Sequence, residues 1–120
     1  MTWDDVVAFA AQFPGVEEAT SYGTPALKVR GKLLTRLRPE DSSLTLHDVP
    51  PEERELLVEA EPGRFHTTPH YAGYPIVLAC LSELNPDRLW PFIDRRWRSI
   101  AGRRLIAEYD MSRDRHGEGS

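Results

Sequence analysis

Ser21-Tyr22-Gly23-Thr24-Pro25-Ala26-Leu27-Lys28-Val29-Arg30-Gly31-Lys32-Leu33-Leu34-Thr35-Arg36-Leu37-Arg38 carries five positive charges and no negative one. Over 26–38 the residues alternate with period two, as a strand half-buried on one face must. Leu27 and Val29 point one way, Lys28 and Arg30 the other. Gly31-Lys32 fits a two-residue hairpin connection with glycine first. On the return, Leu33, Thr35 and Leu37 share a face opposite Arg36 and Arg38. The even-numbered face then shows Lys28, Arg30, Arg36 and Arg38, with Lys32 at the tip and Leu34 as its one apolar residue.

Outward from this hairpin, the pattern predicts an α+β domain. Upstream, Thr2 caps a helix over 3–13 in which Val6, Phe9, Ala10 and Phe13 recur at helical spacing. Val16 to Thr20 forms a short strand leading into the turn at Tyr22-Gly23. Downstream, Ser43 to His47 is a further strand after the polar turn at 39–42, and Pro50-Pro51 opens a second helix with Leu56, Leu57 and Ala60 inward. Arg64 to Thr67 reads as a short strand. The run Ile76 to Leu81, apolar on both faces, reads as a covered one.

Asn85 caps a last helix over 86–109, in which Pro91 is expected to leave a short first turn or a kink. Its stripe of Leu89, Ile93, Trp97 and Ile100 opposes Arg88, Arg95, Arg98 and Arg103. The domain then spans about residues 1–110, and the polar residues 111–120 are expected to be a disordered tail. The expected core is Trp3, Val6, Phe9, Phe13, Leu27, Val29, Leu46, Leu57, Ile76, Leu78, Ile93 and Trp97.

Composition bounds the function. A chain of 120 residues is one domain, able to bury about two thirds of its unfolded surface. No apolar run approaches the roughly 18 residues of a membrane span. The single cysteine, Cys80, excludes an internal disulfide, and with the acidic start Met1-Thr2-Trp3-Asp4-Asp5 it leads us to expect a cytoplasmic protein. Net charge is −4, unevenly placed: residues 1–20 carry −4, 21–39 carry +5, 40–61 carry −7, 62–84 balance, 85–104 carry +4 and 105–120 carry −2. Two basic segments are set in an acidic background, and a basic face forms if they meet.

The hairpin is therefore the first candidate site. Lys and Arg on alternate positions of a ribbon recur every ~7 Å, near the phosphate spacing of one DNA strand. Lys28, Arg30, Lys32, Arg36 and Arg38 are the candidate phosphate contacts, with Tyr22 beside them. The competing reading is a solvated face whose cations guard the sheet against aggregation. His70, Tyr71 and Tyr74 around Gly73 either frame a small pocket or cover the sheet. His66 and His70, with His47, lack the Cys or Glu that would complete a metal pattern, so no metal or cofactor is expected. Cys80 lies in an apolar run, where a thiol behaves as a small hydrophobe. No nucleophile elbow, phosphate loop or zinc-protease motif occurs, so no catalytic residue is assigned and no enzyme is expected.

Taken in order, Tyr22-Gly23-Thr24-Pro25-Ala26-Leu27-Lys28-Val29, Gly31-Lys32-Leu33-Leu34, Thr68-Pro69-His70-Tyr71, the strand 76–81 and Trp97-Arg98-Ser99-Ile100 resemble the MmcQ/YjbR-like family. The resemblance covers residues 3–108. It implies a small fold in the order α-β-β-β-α-β-β-α, with a mostly antiparallel sheet packed against helices. It also implies DNA binding through a "double wing" of the sheet, and it brings no catalytic residue or cofactor. The expected partner is thus DNA. The alternatives are an acidic protein or peptide received by the basic face or a sheet edge, and a small ligand beneath Tyr71 and Tyr74.

Overall fold

A computed structural model describes residues 1–118, with side chains through residue 113. The elements are α1 (Trp3–Ala10), β1 (Val16–Ser21), β2 (Thr24–Val29), β3 (Lys32–Arg38), β4 (Ser43–His47), α2 (Pro51–Ala60), β5 (Phe65–His66), β6 (Ile76–Cys80), α3 (Pro86–Ile100) and α4 (Arg103–Glu118). Short 3-10 turns lie at Pro69–Tyr71 and Leu81–Glu83. The strands form one sheet in the order β1-β2-β3-β4-β6-β5, with every neighbouring pair antiparallel. This is a single α+β domain. Four strands precede α2, one more than the family order implies: Val16–Ser21, expected as a strand from its residues, pairs along the whole of β2.

One sheet face carries the core. Leu27, Val29, Leu34, Leu44, Leu46, Val77 and Ala79 meet Val6, Phe13, Leu89, Ile93 and Trp97 from α1, α3 and the turn between α1 and β1. Thr2 and Asp5 close a reciprocal capping box at the start of α1, satisfying two otherwise orphaned N–H groups. The Trp97 indole donates to the Pro14 carbonyl at 2.9 Å, which anchors the chain after α1 to α3. Trp3, Phe9 and Leu57 pack against this core only partly buried, and Ile76 lies on the other face of the sheet. In α2 the inward residues are Arg54, Leu57 and Val58, whereas Leu56 is 67% exposed. The expected face of this helix is therefore rotated, because a buried arginine occupies the position that an apolar pattern skips.

The last helix divides. It continues past Pro91 and breaks at Gly102, whose φ of +86° is left-handed and suits glycine. Helix α4 then turns back, and Tyr109 stacks on Phe13 with 5.1 Å between ring centroids. Arg98 ties the pair by bonding Asp94 on its own helix and Asp110 on α4. The helix continues to Glu118, through residues 111–118 of the segment expected as a disordered tail; residues 119–120 lie outside the described residues.

The hairpin differs in two ways from its expected form. Its connection is Arg30-Gly31, with φ of +54° and +80°, and not Gly31-Lys32. Two successive left-handed residues give the primed turn that matches strand twist. Tyr22-Gly23, with φ of +52° and +75°, repeats this turn between β1 and β2. Further along, Lys28 pairs with Leu33 but Leu27 pairs with Thr35, so Leu34 is the extra residue of a β-bulge. The bulge lets Leu34 and Thr35 both turn inward, each 0% exposed, and sends Leu33 to the outer face.

Candidate ligand-binding cleft

The outer face of the sheet, opposite α3, carries the segment 67–75 as a roof over β3, β4 and β6. Between them lies a cleft of about 590 Å³. Leu33, Arg36, Thr45, His47 and Ile76 line it from the sheet, and Thr68, His70, Tyr71 and Tyr74 from the roof. Tyr22 stands at its mouth, 94% exposed on its left-handed turn. The candidate pocket around His70, Tyr71 and Tyr74 and half of the candidate basic hairpin therefore form one site.

Arg36 is at its centre. Its guanidinium donates to the Tyr71 hydroxyl at 2.6 Å and to Thr24 Oγ1 at 3.2 Å, and lies 6.0 Å from the Tyr22 ring centroid. Arg38 flanks the other side of Tyr71, 5.4 Å from its ring centroid, and faces Asp41 at 3.5 Å and Glu40 at 3.7 Å. Its side chain is 12% exposed, yet its Nε has no hydrogen-bond partner. Thr68 Oγ1 is the other buried side-chain polar atom without a partner among the described residues, and it too belongs to the cleft. Buried polar groups are nearly always satisfied, so these two atoms in the cleft walls are exceptions.

A chain of bonds fixes the floor. The Arg36 N–H donates to Thr45 Oγ1 at 3.0 Å, and that hydroxyl lies 2.9 Å from His47 Nε2. Burial, reinforced by the Arg96 charge and, more weakly, Arg36, pushes the His47 imidazole down to about 4 against an opposing pull from Asp48. His47 is therefore neutral at pH 7, and its Nε2 shares a hydrogen bond with the Thr45 hydroxyl.

The roof is held by a residue the sequence reading did not single out. Arg54 is 7% exposed and donates to the carbonyls of Tyr71, Tyr74, Ile76 and Ala72 at 3.1, 2.7, 3.3 and 3.1 Å. A cation among four carbonyls is hydrogen-bonded through both terminal nitrogens without a carboxylate, and it ties 71–76 to α2. Arg54, alone among acids in Glu52-Glu53-Arg54-Glu55, was the available signal.

The remaining hairpin cations go elsewhere. Arg30 sits in the turn and donates to the Ala101 carbonyl at 3.4 Å, beside the α3–α4 break. Lys32 is exposed at the hairpin end, and Lys28 lies across from Glu17 of β1. The arginines of α3 do not join the cleft either. Arg88 bonds Glu61, Arg95 bonds Glu53 at 2.7 and 2.9 Å, and Arg96 bonds Asp48. Among the described residues no cluster of three or more His, Cys, Asp or Glu could hold a metal ion, and no helix is long and apolar enough to cross a membrane.

This arrangement can be set beside known proteins. The family model described as YjbR matches residues 11–99. The chain belongs to the YjbR family. It is 29% identical over 122 residues to "Uncharacterized protein Rv2570" of Mycobacterium tuberculosis (strain ATCC 25618 / H37Rv), covering 90% of this chain and 95% of that one. "Uncharacterized protein Mb2600" of Mycobacterium bovis matches with the same identity and coverage. No solved structure matches. In this YjbR-family chain the matched segment contains every residue that lines the cleft.

Proposed function

We propose that this protein binds a small anionic molecule with a planar ring in the cleft. The observation that carries the reading is the convergence of Arg36 and Arg38 inside walls made of Tyr22, His70, Tyr71 and Tyr74. Guanidinium groups recognise carboxylate or phosphate through fixed forks, and aromatic walls accept a flat ring. Neutral His47 adds a polar contact, and the Glu40 carboxylate that also lines the cleft is faced by Arg38 at 3.7 Å. The volume of about 590 Å³ suits a ligand of ordinary metabolite size.

The test is calorimetry and thermal shift with a panel of aromatic carboxylates and nucleoside monophosphates. A saturable ligand is expected, with Arg36→Met weakening it at least tenfold, about the value of one charge-assisted hydrogen bond. If no member of either class binds to the wild-type chain, or if R36M and R38M bind unchanged, the proposal fails.

A DNA partner is the second reading, favoured by exposed Tyr22 and Lys32 at the two ends of β2 in the same ribbon. An acidic strand added at the open β1 edge is opposed by Glu17 and Glu18 there.

A further inference from the structure

On the same sheet face, outside the cleft, three side chains from separate segments form a connected line. Cys80 Sγ lies 3.7 Å from His66 Nδ1, and His66 Nε2 lies 3.1 Å from Asp41 Oδ2. Ser43 Oγ is 3.3 Å from the same Nε2 and donates to the Asp41 carbonyl at 3.4 Å. The sheet register causes this meeting: Cys80 pairs with Ser43 on β4, and His66 sits one strand over on β5. Cys80 is partly exposed.

We propose that Cys80 is a nucleophilic thiol for disulfide exchange, with His66 as its base and Asp41 as the residue that orients the imidazole. Nδ1 can take the thiol proton only if Nε2 carries the ring hydrogen. Asp41 and Ser43 both accept there, which selects that tautomer. Burial raises the Asp41 carboxyl, but hydrogen bonds with His66 and Ser43 and the Arg38 charge outweigh it, so Asp41 is held below the usual carboxylate range. An ionised Asp41 then faces the imidazolium that forms. Nucleophile, base and orienting carboxylate stand in the relation that activates thiols generally.

The step balances without an oxidant beyond the disulfide itself. His66 Nδ1 takes the Sγ proton, and Sγ attacks one sulfur of a small disulfide such as oxidised glutathione. The S–S bond of that disulfide breaks as the Cys80–S–S bond forms, and the departing thiolate takes the proton from His66. The product is a mixed disulfide on the protein and one free thiol. No second cysteine exists in the chain to resolve it, so the modified state persists until an external thiol removes it. This makes Cys80 a modification site next to the Arg38 wall of the cleft, since Arg38 and His66 share Asp41.

Because the chain has one cysteine, each thiolate released from Ellman's reagent reports Cys80 alone. Second-order rates at pH 7 should fall at least tenfold in His66→Ala, the low end of a general-base effect being about 10²-fold and the thiol being already nucleophilic. Free imidazole should restore part of the H66A rate and leave the wild type unchanged. Asp41→Ala and Asp41→Asn should both slow the reaction, while Asp41→Glu, which keeps the carboxylate, recovers most of it. Oxidised glutathione should add one glutathionyl group per wild-type chain by mass. A loss under threefold in H66A, an imidazole-insensitive loss, or a wild-type rate no faster than in the urea-unfolded chain overturns the proposal. If H66A does not fold by circular dichroism, His66→Gln replaces it under the same criteria.

Discussion

Arg54 and His47 each have a measurable consequence. Replacing Arg54 by Met keeps much of the stem but leaves the carbonyls of Tyr71, Ala72, Tyr74 and Ile76 without this donor. The expected cost is about 2–4 kcal/mol, because buried acceptors lose a charged partner. Amide exchange should rise first in 67–75, and the cleft ligand should weaken with it. Uniform loss of protection, or none, would dissociate Arg54 from the roof.

For His47 the sign follows from its lowered value. The folded imidazole protonates near 4, the unfolded one near 6.5, so between these values the unfolded state binds more protons. Stability should therefore be complete above pH 6.5 and fall as pH drops towards 4, by about 2–3 kcal/mol. His47→Gln should flatten that limb of a urea-midpoint profile. Asp48 and Glu53, both lowered, add losses that begin at the acidic end of this window, so the difference between wild type and H47Q isolates the histidine.

The hairpin shows where a strand pattern ceases to be legible. Period two correctly assigns Leu27 and Val29 to the core, because β2 is regular there. It fails on β3, since Leu33-Leu34 offers two adjacent apolar residues and a bulge can turn either one inward. The turn shares this ambiguity: both Gly31-Lys32 and Arg30-Gly31 place one glycine at a left-handed position. Paired truncations distinguish the two faces. Leu34→Ala should cost about 3 kcal/mol by opening a cavity in the core. Leu33→Ala, on the half-exposed cleft wall, should cost under about 1 kcal/mol and act mainly on ligand affinity. Reversed costs in urea denaturation would restore the simple alternation. The break at Gly102 is similar: a glycine inside a helical pattern is tolerated or terminates it, and only the stacking of Tyr109 on Phe13 decides.

Across the molecule, the basic segments and the acidic background are largely one another's partners. Glu61, Glu53 and Asp48 are spent on Arg88, Arg95 and Arg96, and Asp110 on Arg98. The sequence shows the charge blocks but not these pairings, which join residues 12 to 48 positions apart. It likewise supplies Tyr22, Arg36 and Arg38, and separately His70, Tyr71 and Tyr74, while their union depends on the roof that Arg54 holds. The same pairing sets what a duplex can feel. With Arg30 at Ala101 and with Arg36 and Arg38 around Tyr71, Lys28 and Lys32 are the hairpin cations left to face phosphates. Two neutralised phosphates give a log–log salt slope of about −2, against about −4 to −5 for all five cations. Fluorescence anisotropy with a short duplex across a salt series measures this directly. A slope near −2 that persists in Arg36→Met and vanishes in Lys28→Ala/Lys32→Ala would place DNA on the hairpin end, apart from the cleft. A slope near −5 would require Arg36 and Arg38 to leave Tyr71, and a saturating cleft ligand should then compete with the duplex.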